Sequence, residues 1–177
     1  MDFFEAVEQR YSYKQTFADV LIPWEHLEKI AQAGLKAPTG NNSQCVHLVI
    51  LVDKADIEPV LDIAARGRIE SASAAIALFT DSSEQSGGKN FEMEDYSAAA
   101  AQMLLAITAL GYVSVWLDSP YFNEEAQKKI CETLGVPDTY CMRVMLPIGI
   151  PSEEGSRREK KGFWERVSLG TFGKTGR

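Results

Sequence analysis

Histidine and cysteine are scarce in this chain. His26 and His47 are the only histidines among 177 residues, which excludes an H-E-x-x-H zinc site and any multi-histidine metal centre. Cys45, Cys131 and Cys141 are odd in number and lack C-x-x-C spacing, so a disulfide scaffold is excluded and a reducing compartment is expected, with thiols that fill space. Positive charge is also in short supply. Eighteen Lys+Arg against 25 Asp+Glu leave a net charge of −7 and a pI near 4.9. Overall repulsion then opposes nucleic acid or an anionic membrane as the main partner, and any anion site must be local. The opening Met1-Asp2-Phe3-Phe4-Glu5 is acidic where a secretory leader carries basic residues, so a cytoplasmic location is expected. The sequon Asn41-Asn42-Ser43 then carries no expectation of glycosylation.

Membrane-length hydrophobic runs are missing, with one imitation. Tyr96 to Leu117 has no charge and is long enough to cross a bilayer. Ser97, Gln102, Thr108 and Ser114 interrupt it, Gly111 divides it, and acidic residues flank it, so a buried helix followed by a buried strand is expected. Nucleotide and nucleophile motifs are absent too. Gly173-Lys174-Thr175 resembles the close of a P-loop, but Ser168 stands where the first glycine belongs. Neither G-x-S-x-G nor G-x-G-x-x-G occurs.

What remains is an ordinary globular composition, 45% hydrophobic and 24% charged, suited to a single domain over residues 1–177. The pattern predicts an opening helix capped by Asp2 that turns Phe3, Phe4 and Val7 inward and ends near Arg10. A second helix is expected from Pro23, as its first residue, to Gly34, burying Leu27, Ile30 and Ala31. Pro38-Thr39-Gly40-Asn41-Asn42 reads as a turn-rich loop and Val46 to Val52 as a buried strand. Ile57, Val60, Leu61 and Ala64 mark a helix, and Ala74 to Phe79 the next strand. Ser82 to Met93, with Gly87-Gly88, reads as a flexible loop, either beside a site or a plain surface connection. Tyr96 to Leu110 is the expected central helix and Tyr112 to Leu117 a strand. Asn123 is expected to cap a helix carrying Ala126, Ile130 and Leu134, which Gly135 ends. Met142, Val144 and Leu146 alternate in a last core strand. His47 is expected to pack in the core. Cys45 beside it has no evident cation to lower its pKa, and so no sign of reactivity.

Three separated segments carry the chemistry. Arg10-Tyr11-Ser12-Tyr13-Lys14 offers two cations and a hydroxyl within five residues. Pro38-Thr39-Gly40-Asn41-Asn42-Ser43-Gln44 offers amides on a tight loop, and Arg157, Arg158, Lys160 and Lys161 add distant cations. Such a set suits a phosphate joined to a polar heterocycle. Phe163-Trp164 follows the charged run and needs a surface to cover it, from its own domain or from a partner subunit.

In this order the segments resemble the FMN-dependent nitroreductase family, with its R-R-S-x-R/K and P-S-x-x-N-x-Q-P-W motifs. The likeness extends to Ala109-Leu110-Gly111 and Gly149-Ile150-Pro151. It implies an α+β fold, a mixed β-sheet wrapped by helices, and an intertwined homodimer with FMN at the interface; periodicity alone also allows a doubly wound sheet. Residues 152–177 would form a C-terminal extension packing on the partner subunit. By position, Arg10 and Ser12 match residues on the FMN phosphate, and Lys14 matches one near N1 and O2 of the ring. Tyr11 falls within the phosphate motif in place of its second arginine. Asn42 and Gln44 match amides to the ring or ribityl chain, on the loop that Pro38 and Thr39 open, with Thr39 keeping the hydroxyl of the usual serine. Asp118 and Ser119 fall where backbone groups meet the ring near N5. Arg158, Lys160 and Lys161 occupy the region of the distal phosphate cations. Cys45-Val46 replaces Pro-Trp.

The activity implied is an FMN oxidoreductase working by ping-pong, with NADH or NADPH as donor and a nitroaromatic, quinone or related small molecule as acceptor. No side chain is assigned as acid or base, because the flavin carries the chemistry. The alternative is a non-enzymatic FMN-binding protein for storage or redox sensing.

Overall fold

The computed structural model describes residues 1–63, 71–81, 90–118 and 124–176. The first helix, α1 (Phe3–Gln9), is capped as its sequence predicts. The Asp2 carboxylate accepts the Glu5 N–H at 2.9 Å and the Glu5 carboxylate accepts the Asp2 N–H at 2.9 Å, an arrangement worth about 0.5–2 kcal/mol to a helix start. The predicted apolar face, however, does not enter the core. Phe3 and Phe4 are 63% and 76% exposed, Val7 is exposed as well, and only Ala6 is buried.

Helix α2 (Trp24–Leu35) buries Leu27, Ile30 and Ala31 as expected, with Pro23 as its N-cap and not its first residue. Gly34 does not stop it. A Cβ there would stand 2.6 Å from the Met103 side chain of helix α4 (Glu92–Ala109). The glycine therefore lets two helices approach, and the chain turns out only at Lys36.

The sheet is the middle layer. Strands β2 (Val46–Leu51), β3 (Ala74–Asp81) and β6 (Tyr140–Pro151) pair antiparallel in that order, and β1 (Phe17–Ala18), β4 (Val113–Ser114) and β5 (Leu117–Asp118) each add to β6. Every named ladder is antiparallel; among the described residues the parallel component is one bridge between Ser12 and Ser114. The expected strand Tyr112 to Leu117 is thus two short pieces on one register, Val113 opposite Gly149 and Leu117 opposite Met145. Ala74, Ile76 and Leu78 pack with Leu27 and Ile30 of α2 and with Met103 and Ile107 of α4. Ala75, Ala77 and Phe79 pack on the other side with Ile57 and Val60 of α3 (Lys54–Ile63) and Ile130 of α5 (Glu124–Thr133). Both faces are covered, so β3 is apolar at nearly every position and not at alternate ones.

An irregularity in β6 changes the reading of the last core strand. Leu78 pairs with Val144 but Phe79 pairs with Met142, which leaves Arg143 as the extra residue of a β-bulge. Val144, Leu146 and Ile148 face α2 and α4, whereas Met142 lies with the cluster on the opposite face. Met142 therefore does not share a face with Val144 and Leu146 as the alternation predicts, because the bulge shifts the pleat by one residue.

Helix α4 begins at Glu92, four residues before the predicted Tyr96, so Met93 is helical and not part of the loop. Most of the predicted loop, including Gly87-Gly88, lies outside the described residues, as do Ala64 and Asn123. Gly135 follows α5 with φ 64°, as expected of a helix stop. Tyr96 to Leu117 resolves into helix and strand, and no described helix is long and apolar enough to cross a membrane. After β6 the chain continues extended to a short helix, α6 (Phe163–Arg166), on which Phe163 and Trp164 are exposed; Leu169 and Phe172 beyond it are exposed too.

Candidate functional site

Arg10 is the C-cap of α1, where the backbone leaves the helix at φ −65° and ψ 127°. The Tyr13 N–H then donates to the Ser114 carbonyl at 2.9 Å, beside the bridge between Ser12 and Ser114. Tyr13 is fully buried, and its ring meets those of Tyr11 and Phe17 edge to face at 6.2 and 5.2 Å. With tyrosines taking the inner positions, Ser12 and Lys14 are left at the surface and Arg10 half-buried. Ser114 is itself buried, and its hydroxyl has no hydrogen-bond partner among the described residues. An orphaned buried hydroxyl costs about 1–3 kcal/mol.

The charged tail returns to this segment. Ser152 donates to the Thr16 carbonyl from both its N–H and its hydroxyl, and Gly155 lies so close to the Tyr11 ring that no Cβ would fit there. Arg157 places its guanidinium 4.9 Å from the Tyr11 ring centroid and donates from Nη1 to the Glu8 carbonyl at 3.1 Å. Burial, and next the neighbouring Tyr13, push the Tyr11 hydroxyl upward in pKa, with Arg157 opposing. Arg157, which the sequence reading counted among the distant cations but did not carry into the phosphate set, is, among the described residues, the tail cation in contact with the opening motif. Arg158, Lys160 and Lys161 are exposed, and neither their side chains nor those of Arg10 and Lys14 have a hydrogen-bonded or ion-paired partner among the described residues.

The second segment is a short turn, Gly40–Asn42, preceded by Pro38 and Thr39. Asn41, Asn42 and Gln44 all have left-handed backbone, with φ 53°, 55° and 51°, a region that non-glycine residues seldom adopt. The Gln44 N–H donates to Thr39 Oγ1 at 3.3 Å, while the Asn42 and Gln44 side chains are exposed. Beneath the loop lies Asp95, 2% exposed. Its Oδ1 accepts the Gly40 N–H at 2.7 Å, and its Oδ2 accepts the Ser43 hydroxyl at 2.8 Å and the Cys45 thiol at 3.5 Å. Burial pushes the Cys45 thiol up and Asp95 adds to it, against the Ser43 hydrogen bond, so this cysteine is a structural donor, not a nucleophile.

One turn earlier on α4, buried Glu92 accepts the Thr80 hydroxyl at 3.1 Å and pairs with Arg143, whose Nε donates to Thr80 Oγ1 at 2.7 Å. The bulge is what brings Arg143 to this face. Its guanidinium also sits 6.0 Å from the Tyr96 ring centroid, and Tyr96 lies 6.4 Å from Trp116. Sequence reasoning missed Glu92 and Asp95. The available signal was their place just ahead of the apolar helix, where acidic residues favour the positive end of the dipole.

Asp118 lies on β5 opposite Val144; Ser119 lies outside the described residues. His47 is exposed, against expectation, because β2 is the outer strand next to β3; its ring rests edge-on against Tyr140 at 5.5 Å.

Residues 7–80 and 64–150 match the family model described as "Nitroreductase family". A protein of Archaeoglobus fulgidus, provisionally named NADH dehydrogenase/NAD(P)H nitroreductase, is 31% identical over 152 residues, covering 85% of this chain and 83% of its own. Among solved structures, a nitroreductase family protein from Clostridium difficile 630 is 29% identical, with a TM-score of 0.79 over 97% of this chain and 99% of its own. The fold is shared as well by an FMN-dependent nitroreductase from Clostridium difficile R20291, at 24% identity and a TM-score of 0.82 over 96% and 99% of the two chains. The match along most of the chain, and the α+β architecture with it, establish this protein as an oxidoreductase of the nitroreductase family.

Proposed function

We propose that the protein binds FMN and passes electrons from NADH or NADPH to a nitroaromatic, quinone or related small acceptor in ping-pong alternation, as a homodimer. The observation that carries this reading is the surface segment around Ser12, bridged to Ser114, in which the side chains of the cations Arg10 and Lys14 are uncommitted among the described residues. The donor set fits the cofactor. Arg10 and Ser12 are suited to charge-assisted bonds with a terminal phosphate dianion, with Arg158, Lys160 and Lys161 available from the tail. Lys14, two residues further along the exposed side, would put positive charge near N1 and O2 of the ring, which favours the reduced anion and raises the potential.

Asn42 and Gln44 present amides to the ring or ribityl chain from the left-handed loop. The backbone of Asp118 would serve the ring near N5, with Ser119, outside the described residues, expected beside it. When bound, FMN supplies the two-electron chemistry, so no side chain needs to act as acid or base. The homodimer is supported by apolar side chains that the protomer leaves in solvent: Phe3, Phe4 and Val7 on α1, and Phe163, Trp164 and Phe172 on the tail. Residues 152–177 begin on their own protomer through Ser152, Gly155 and Arg157, and in this reading the remainder crosses to the partner.

Denaturation of the purified, FMN-reconstituted protein should release FMN and not FAD. Stopped-flow mixing with NADH and NADPH should bleach the flavin rapidly with at least one of them. No flavin binding with excess FMN overturns the cofactor assignment, and flavin that neither nucleotide reduces overturns the enzymatic one.

A further inference from the structure

The geometry points to Asp95 as the positioning residue of the cofactor loop, a buried carboxylate that holds residues 39–45 in the form presenting Asn42 and Gln44 before any ligand arrives. The inference rests on the FMN reading above and goes beyond it by asking what keeps the amides in place. Held and strained residues interleave. Gly40, Ser43 and Cys45 each donate to Asp95, and Asn41, Asn42 and Gln44 between them carry the left-handed backbone. Such a conformation persists when the surroundings over-determine it. The loop's own bonds are few: Asn42 N–H to the Thr39 carbonyl at 3.1 Å, Ser43 N–H to the Gly40 carbonyl at 3.0 Å, and Gln44 N–H to the Thr39 hydroxyl. None of these ties the loop to the rest of the molecule.

The Asp81 N–H fixes the end of the loop by donating to the Cys45 carbonyl at 3.0 Å; Asp95 ties down the stretch before it through Gly40 and Ser43, and it is held in turn. Its N–H donates to the Phe91 carbonyl at 2.9 Å in the first turn of α4, Phe91 packs directly against Gly40, and the Glu92–Arg143 pair one turn away fixes the helix start to β6. Three donors on two oxygens leave the buried Asp95 turned toward the loop and not toward solvent. It therefore acts through Asn42 and Gln44, without touching cofactor.

The test uses Asp95→Ala, which removes all three acceptors, and Asp95→Asn, which keeps an acceptor for the Gly40 N–H and lets the Ser43 hydroxyl reverse its role. Thr80→Val is the control, since it disturbs the neighbouring buried network without touching the loop. In apoprotein, exchange of the Gly40 amide should quicken at least tenfold in Asp95→Ala. FMN titrated into the same sample should bind at least tenfold more weakly, with Asp95→Asn between it and the parent in both measures. Thr80→Val should lower the melting temperature yet keep FMN affinity within twofold.

Parental FMN affinity in Asp95→Ala overturns the inference. An equal loss of affinity in Thr80→Val overturns it too, because the effect would then be one of general stability. Should Asp95→Ala not fold, Asp95→Asn and Ser43→Ala carry the same comparison, and parental values for both overturn it. A parent chain that binds no FMN refutes the functional reading instead, and Gly40 exchange still decides whether Asp95 holds the loop.

Discussion

At the start of α4 two carboxylates, Glu92 and Asp95, are only 5% and 2% exposed, whereas on α1, which lies against the same helix, two phenylalanines and a valine face outward. The acids are buried because the protomer supplies donors for them: Thr80, Asn90 and Arg143 for Glu92, and Gly40, Ser43 and Cys45 for Asp95. The apolar residues are exposed because no described residue covers them. One side of the candidate site is therefore completed within a single chain, while the apolar side chains of α1 and the tail stay in solvent. Polarity alone does not decide burial; the presence of a matching partner does.

The largest expected effect breaks the unfinished side. Removal of residues 162–177 should turn a dimer into monomer and strip its FMN, since burying two large aromatics contributes roughly 3–6 kcal/mol per tail before ordering costs. Analytical ultracentrifugation read beside flavin content checks this, and an unchanged dimer with full FMN occupancy refutes it.

The finished side should break almost as hard in a different way. Arg143→Ala leaves Glu92 buried without its cation, at a cost of about 3–5 kcal/mol. Urea melts should show a lower midpoint with an unchanged slope, and no change of oligomeric state at concentrations where the fold persists.

A smaller pair of effects separates roles within the opening motif. Arg10→Ala should weaken FMN binding by about 1.5–3 kcal/mol, the loss of a charged hydrogen bond. Lys14→Ala should instead lower the flavin's reduction potential and slow its reduction. Equilibrium titration and potentiometry distinguish the two, and an unchanged potential removes Lys14 from the ring.

The smallest effect reads the contrast through thiols. Burial holds the Cys45 and Cys131 thiols above their ordinary pKa, so each carries less thiolate than an ordinary cysteine until the pH has risen past the usual thiol range. Exposed Cys141 should take up iodoacetamide first at pH 8, with Cys45 labelled last by peptide mapping.

Features that depend on neighbours in sequence were readable in advance. The Asp2 cap, the buried positions of α2 and the glycine after α5 follow from local geometry and spacing. The failures share one cause. Phe3 and Phe4 have the spacing of a core face, but whether a face is covered depends on a surface elsewhere. Met142 alternates correctly with Val144 in sequence, but the bulge at Arg143, which pairs with Glu92 some fifty residues earlier in the chain, flips the pleat between them. Gly34 reads as a helix stop because its reason, the side chain of Met103, lies on another helix. At the candidate site, the amides of the loop were visible as residue types. Asp95 beneath them was not, since a carboxylate in an acidic stretch looks solvated until its three donors are placed.

The position of β6 has a consequence for how the chain is made. β1, β3, β4 and β5 all pair with it, and Phe17 near the start of the chain meets Pro151 near the end. While a ribosome is still adding the stretch between β3 and β6, the apolar β3 can pair with β2 alone, and its other edge stays open. At roughly 5–20 residues per second that interval lasts several seconds. Such an edge invites pairing with other nascent chains, so synthesis exposes this protein to aggregation, and slowing translation between β3 and β6 would prolong that exposure.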